Sequence, residues 1–552
     1  MNRFSKVITQ DKSQGASQAM LYALKLTKHE ISKPHIGIGT TWFESNPCNN
    51  HLNILGNVIK QNINFDFLGF KFNTIGVSDG ISMGTDGMLY SLPSRELIAD
   101  SYETMNMAHS YDGNIAVPGC DKNIPGCLMG MIRINRPSFM IYGGSIKPGK
   151  YNNKDIDIVD AFQSYGKYIS NEITDDEREN IVKKACPGSG SCGGMYTANT
   201  MAAAVEAMGM TLPGSSSNPA LSNEKFIECK QSSTILKHLL TNNIKPTDII
   251  TKESLHNAIT TIIALGGSTN AVLHILAIAK TLSINLSIEE FNNIGRNVPV
   301  ITNLKPHGEY LMYHLHKVGG VPMVMNELLK MGLLYGDTPT ITGNSLEENI
   351  KYFLKKSKFS ENNNKSQIIK TLKTDSHIRI LKGNIAPDGA VAKISGREGT
   401  YFKGIAYVFS SQNEFLDALK NNKIKEGQVI VIKDQGPKGG PGMPEMLKPT
   451  SAIVGYGFDK KIAFITDGRF SGGSHGFIIG HVSPESYEGG PIGKIRDGDT
   501  ITIDTKKNNI HLHISEKELE SRLSHYKPNN INGFLQKYRA NVQSAKYGCV
   551  TV

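Results

Sequence analysis

Cysteine is scarce in this chain, with seven in 552 residues, and tryptophan occurs once. So few cysteines exclude a disulfide-built scaffold. Their neighbours are glycine, proline and aspartate, a setting that suits a reducing compartment and metal ligation. Runs of five or six like charges are missing, although the formal net charge is +10 and the pI is near 9.0. Without a basic stripe interleaved with aromatics, a nucleic-acid-binding surface is not expected. The excess reads as lysine spread over the surface, which also draws in small anionic substrates. Long apolar runs are absent too. The most apolar stretch, 261–279, is interrupted by Gly266, Gly267, Ser268, Thr269, Asn270 and His274, so it does not read as a membrane span. The first residues, Met-Asn-Arg-Phe-Ser-Lys, lack the apolar core of a signal peptide. The expectation is a cytoplasmic protein without internal repeats.

What is plentiful is glycine, 55 residues in all, clustered in short motifs where backbone would approach a ligand closely. The length is too great for one core and predicts more than one domain. Residues 1–355 alternate helical patterns with short apolar runs, the mark of a layered α/β domain. Pro93–Met107 predicts a helix with Glu96, Asp100 and Glu103 on a polar face. Asn199–Met208 predicts a second helix, and Phe139–Tyr142 a buried strand. Residues 356–377 are polar and without period, so they read as a linker. Short β-rich runs follow at 404–409, 428–433, 462–466, 500–504 and 509–513, predicting a smaller, mainly β domain over 378–552.

The densest chemistry is Cys120-Asp121-Lys122, inside Ile-Ala-Val-Pro-Gly-Cys-Asp-Lys-Asn-Ile-Pro-Gly at 115–126. Thiolate is a soft ligand that selects iron–sulfur or zinc, and carboxylate a hard one that selects magnesium or manganese. Adjacent side chains of an extended segment point to opposite sides, so one loop could serve two metal centres. Four more motifs join it. Asn46–His51 presents Cys48, and Gly76–Met88 offers Asp79 and Asp86. Cys186–Gly194 presents Cys192, and the pair Gly436–Met446 and Thr466–Gly473 carries Glu445, Arg469 and Ser471. Singly, each cysteine reads equally well as a buried structural thiol, either aspartate as a turn cap, Glu445 as a surface carboxylate and Ser471 as a plain loop serine. Arg469 fits either a carboxylate ligand or a structural clamp. Gly266–Asn270 opens a helix, with anion binding and capping both open.

Together these motifs resemble the dihydroxy-acid and sugar-acid dehydratase family, from about residue 15 to the end. The resemblance implies a large N-terminal α/β/α layered domain and a smaller barrel-like, swivelling β-rich domain. It implies that Cys48, Cys120 and Cys192 bind an iron–sulfur cluster, with Cys127 and Cys186 packing nearby. The Cys48 motif is that of the [2Fe–2S] members. Asp79, Asp121, Lys122 and Glu445 match the Mg2+ positions, Asp79 being favoured over Asp86. Lys122 is carbamylated in the family, which fits a hard cation's demand for anionic oxygen. Ser471 matches the catalytic base. Three cysteines leave one iron position open, which suits a Lewis acid better than an electron carrier.

The implied function is dehydration of a 2,3-dihydroxy-3-methyl acid to a 2-keto acid on the way to valine and isoleucine, by a homodimer. A sugar acid is the alternative substrate. Gly472 and Gly473 would turn their N–H groups toward the substrate carboxylate. One departure stands out: Gln435 occupies a usually acidic position before Gly-Pro-Lys-Gly-Gly.

Overall fold

The segment His-Ile-Gly-Ile-Gly-Thr lies in the middle of a sheet covered on both faces, and small residues are the reason it can. In a computed structural model, whose described residues are all but 358–364, 395–397, 459, 475, 525, 527–530 and 552, it forms strand β1 (His35–Thr40), buried throughout. A Cβ at Gly39 would meet the Tyr102 ring at 2.3 Å. Strand β2 (Leu68–Asn73) pairs on one side, and β3 (Gly113–Val117) and then β4 (Ser138–Met140) on the other, all parallel. Helices Ser91–Ala108, Asn123–Ile134 and Thr197–Ala207 pack around this sheet. In an open parallel sheet the crevice lies beyond the carboxyl ends of the strands. Here the loops after β1, β2 and β3 are those bearing Cys48, Asp79 and Cys120-Asp121.

The C-terminal half is an eight-stranded sheet. Its order is 509–512, 500–504, 401–409, 428–432, 463–466, 477–483, 389–393, 378–381. The two edges meet, since Lys382 N donates to Asn508 O at 2.9 Å and Ile510 N to Lys382 O at 3.0 Å. The sheet is therefore a nearly closed barrel. Alternation along each strand explains its two faces. Val429, Val431, Ala463 and Ile465 join the barrel core, while Ile430, Ile432 and Phe464 pack beneath helix Gln412–Lys420. The mixed α/β class expected from the sequence is the observed one. The pattern did not expose strands Ile378–Leu381, Gly389–Lys393 and Phe477–Ser483.

The proposed linker at 356–377 falls partly on 358–364, which lie outside the described residues. Its described end is docked, with Asn303 N donating to Ile368 O at 2.8 Å and Leu372 N to Val300 O at 2.8 Å. The helix predicted at 93–107 runs Ser91–Ala108, but Glu96 is not on a solvent face. It is 3% exposed, and its Oε1 accepts from Arg95 at 2.7 Å. A polar residue at a surface period can as well be half of a buried ion pair. Fully buried Arg95 also donates to Gly548 O at 2.7 Å and Cys549 O at 2.8 Å, clamping the C-terminal segment. Replacing Arg95 by Met would leave the Glu96 carboxylate short of its counter-charge and two carbonyls without this donor. The expected loss is about 3–5 kcal/mol, read as a lower denaturant midpoint at unchanged slope.

Candidate active site

Asparagine side chains set the cysteine loops. Asn46 Oδ1 accepts from Cys48 N at 3.3 Å and from Ser78 Oγ at 3.0 Å. Asn123 Oδ1 accepts from Cys120 N at 2.8 Å and from Asn49 Nδ2 at 2.9 Å. One short amide network therefore ties the loops after β1 and β3 together. They touch so closely that a Cβ at Gly119 would sit 2.1 Å from Cys48 O. The third loop is tied in by Ser191, whose Oγ donates to Gly119 O at 2.6 Å, and by Asn199 Nδ2 donating to Cys192 O at 2.6 Å.

The result brings Cys48, Cys120 and Cys192 to one cavity. Hydrogen bonds with Cys120 and Cys192, and then burial, push the Cys48 thiol well up. For Cys192 the Cys48 hydrogen bond pulls down, but burial and the charges of Asp121 and Cys120 outweigh it and the thiol is raised. The raised thiols of Cys48 and Cys192 are what a cationic centre would relieve. Cys127 is instead a core residue, and Cys186 sits exposed at the cavity rim. Cys229 and Cys549 are buried elsewhere.

Beside the thiols lies a hard-ligand cluster. Asp79, Asp121 and Glu445 each bring an oxygen within 4.8 Å of the others. Asp79 opens the short helix Asp79–Ser82, and Ser91 Oγ donates to its two oxygens at 2.9 and 3.0 Å. Asp86 is exposed on a separate turn. Glu445 comes from the other half of the chain. A two-residue parallel pairing, Glu445 with Arg469 and Met446 with Phe470, aligns it, and Ser471 N donates to Met446 O at 3.2 Å. This miniature sheet places Glu445, Arg469 and Ser471 together.

Buried Lys122 binds Asp79, lies 3.1 Å from Glu445 and 3.8 Å from Asp121. Burial and Arg469 push its ammonium down, yet the three carboxylates win and hold it above the ordinary value. Burial, then the Asp79 charge, push Asp121 up to about 7. Burial alone would raise Glu445, but Lys122 and Arg469 hold it low. Arg469 is wholly buried and bonds Met443 O at 2.8 Å and Glu445 at 3.1 Å. It is a clamp, and it does not line the cavity. His274, against Arg95 at 3.3 Å, and His51, against Gly143 O at 2.9 Å, are likewise structural. Ser268 Oγ, one residue before the N-cap Thr269, accepts from Asn270 N at 3.3 Å, and Thr269 itself makes no side-chain cap bond.

Ser471 closes the same cavity, about 170 Å³ in volume. Its Oγ accepts from Gly473 N at 3.3 Å. The Gly473 N–H thus serves the serine's own oxygen, a correction to the expectation that it faces a substrate. Gln435 is away from the cavity. Its Nε2 donates to Ser410 O at 2.8 Å and Lys433 O at 3.4 Å, bonds an ionised carboxylate cannot make.

The sequence did not expose the apolar part of the lining, built from Ile146, Ile158, Val159, Phe162 and Leu447. Apolar residues at 158, 159 and 162 on one turn of helix Ile158–Ile169 were the signal for it. A larger hollow of about 760 Å³ lies against helix Asn223–Lys230. It gathers no comparable ligand group among the described residues, so size does not select the site.

Two family models match the chain: the dihydroxy-acid/6-phosphogluconate dehydratase N-terminal model over 33–349 and its C-terminal counterpart over 366–549. The chain is 53% identical over 555 residues to a dihydroxy-acid dehydratase of Francisella tularensis subsp. novicida, covering 100% of this chain and 99% of that one. It is 51% identical to the mitochondrial dihydroxy-acid dehydratase of Schizosaccharomyces pombe, covering 100% and 93%. It is also 51% identical to the chloroplastic enzyme of that name from Arabidopsis thaliana, covering 100% and 91%. Among the described residues no helix is long and apolar enough to cross a membrane.

The acid cluster gives a direct test. Glu445→Gln is expected to weaken Mn2+ binding by about tenfold or more, whereas Asp86→Asn leaves it unchanged. Titration followed by electron paramagnetic resonance of free Mn2+ measures both.

Proposed function

The chain belongs to the dihydroxy-acid/6-phosphogluconate dehydratase family, and from this we propose that it dehydrates 2,3-dihydroxy-3-methyl carboxylic acids to 2-keto acids, a step toward valine and isoleucine. It is a hydro-lyase, as both halves match dehydratase models and full-length relatives carry that name. The observation that carries the substrate class is the mixed polar and apolar lining of the cavity. Thiols, carboxylates and Ser471 share its lining with aliphatic and aromatic carbon from Ile146, Ile158, Val159, Phe162 and Leu447. A branched alkyl tail buries against that carbon. A sugar acid would press hydroxyls onto it, at a cost of roughly 1–3 kcal/mol for each one left unpaired.

The donor set fits two different groups. Three clustered thiols, Cys48 hydrogen-bonded to both Cys120 and Cys192, suit an iron–sulfur cluster held by these three residues, for which we favour [2Fe–2S]. Three carboxylates within 4.8 Å suit Mg2+, with Lys122 as a fourth ligand once carbamylated. An ammonium surrounded by three carboxylates already occupies the place of a cation, and exchanging it for a carbamate would leave the site anionic enough for a divalent ion. When bound, these groups supply Lewis acidity toward the hydroxyl and carboxylate oxygens of the substrate.

The chain's own residues do the rest. Ser471, as an alkoxide, takes the proton from C2 into its Oγ. The C2 electron pair forms the C2–C3 double bond as the C3–O bond breaks, and the proton gained by Ser471 is passed on to the departing hydroxide, which leaves as water and returns the serine to its alkoxide. The enol then tautomerises to the keto acid. The Gly473 N–H lowers the cost of the serine oxyanion. The apolar wall keeps water from the carbanion-like C2. A cytoplasmic homodimer, and a division between the two units inside 356–377, are parts of the same proposal that rest on the family resemblance.

Anaerobically purified protein is expected to contain iron and sulfide, to turn over 2,3-dihydroxy-3-methylbutanoate, and to prefer it to an aldonate. Preference for the aldonate would overturn the substrate assignment. Ser471→Ala should lower kcat at least a hundredfold, roughly the loss of a key general base, with the visible spectrum unchanged. Val159→Asn should cut kcat/KM for the branched acid by roughly tenfold or more while leaving the metal content intact.

A further inference from the structure

Lys393 ends the strand Gly389–Lys393 and points at the turn that carries Ser471. It is 6% exposed, and lysine is almost never so buried without a specific partner. Its Nζ donates to the carbonyl oxygen of Gly472. That carbonyl belongs to the peptide unit whose other end is the Gly473 N–H, which donates to Ser471 Oγ at 3.3 Å. A trans peptide is planar, with C=O and N–H pointing in opposite directions. Lys393 and Ser471 thus grip the two ends of one rigid dipole. A donor on the carbonyl fixes the plane and polarises the amide, which strengthens the bond it gives on the far side.

The surroundings leave the amine little else to do. Lys393, Ser471, Ser474, Thr269 and His481 line a void of only about 10 Å³. Glu398 and Glu445 act on the amine as attractive charges. His377 and His481, each pushed down to about 3 by burial, stay neutral. We propose that Lys393 is a positioning residue for Ser471, acting through the Gly472–Gly473 peptide to stabilise the serine oxyanion. The inference rests on the role given to Ser471 above.

The arrangement is costly to the fold. Burial pushes the Lys393 amine down to about 7 from an ordinary 10.5. The folded value lies below the unfolded one, so the chain loses stability as pH falls from the unfolded value through the folded one. A lysine that merely braced the structure would contribute stability. This one is expected to trade stability for rate.

Lys393→Met in the cluster-loaded full chain tests this, read on whichever acid the parent turns over. A parent that used only aldonates would therefore overturn the substrate assignment without touching this inference. The expected result is kcat lower by about tenfold to a hundredfold, KM within about twofold, iron content and spectrum unchanged, and a Tm at or above that of the parent. The pH at which kcat rises should move upward, because the serine is harder to ionise. Lys393→Arg should recover part of the rate, and Lys393→Met in a Ser471→Ala background should change nothing further. Parent-like kcat and pH profile would overturn the proposal, and so would a rate loss with an unmoved profile and a lower Tm. If Lys393→Met does not fold, Lys393→Gln, which keeps a donor and removes the charge, decides by the same readouts.

Discussion

The contact between Glu445 and Lys122, 3.1 Å apart and both sealed from water, is the interaction on which the site depends. Lys122 follows β3 of the parallel sheet, and Glu445 comes from the barrel half. Neither charge is tolerable there alone. An ion pair at the surface is worth little, but a buried one whose partner is removed becomes a large penalty. Each group also has an opposite charge in its own half, so the contact between halves joins two local pairs into one network. Arg469 and Asp79 complete the balance around the same oxygens and the same nitrogen. That arrangement also puts Ser471, two residues beyond Arg469, against the cysteine loops.

The thiols and the carboxylates stand side by side but are built differently. The thiols are carried by three loops of the sheet half alone, fastened by amide side chains. The carboxylate cluster needs both halves. The thiol group is thus complete within the sheet half, whereas the carboxylate cluster, and the placement of Ser471 beside it, need residues of the barrel half. The apolar wall is divided in the same way, since Leu447 comes from the barrel side and Ile158, Val159 and Phe162 from the sheet side.

Much of this was legible in the sequence, for a physical reason. Loops that must approach a ligand or each other need glycine and proline, and the close contact at Gly119 is an instance. Such loops announce themselves by composition. Asp79, Cys48 and Ser471 stood out through that setting and the family resemblance. The wall residues did not, because Ile146, Ile158 and Leu447 are ordinary core residues until separate segments bring them together. Glu96 and Lys393 were opaque for the converse reason. A charged side chain reads as solvated unless one knows what packs over it, and here the covering segments lie far away in sequence, Thr551 N donating to Glu96 Oε2 at 3.2 Å and Lys393 donating to Gly472 O. The strand Phe477–Ser483 was hidden by Gly480 and by His481, whose φ of 56° breaks the extended pattern.

The seam of the barrel has a bearing on biosynthesis. Lys382 and Asn509, which close it, are 127 positions apart, and the second belongs to the last strand of the barrel to be translated. While the chain is emerging from the ribosome, the strand at 378–381 keeps one row of amides and carbonyls unmatched and available to any neighbouring nascent chain. The four strands of the parallel sheet, all within residues 35–140, have no such wait. The vulnerable interval in the life of this molecule is therefore the time between synthesis of residues 378–381 and of residues 509–512, when a chaperone shielding that edge would matter most.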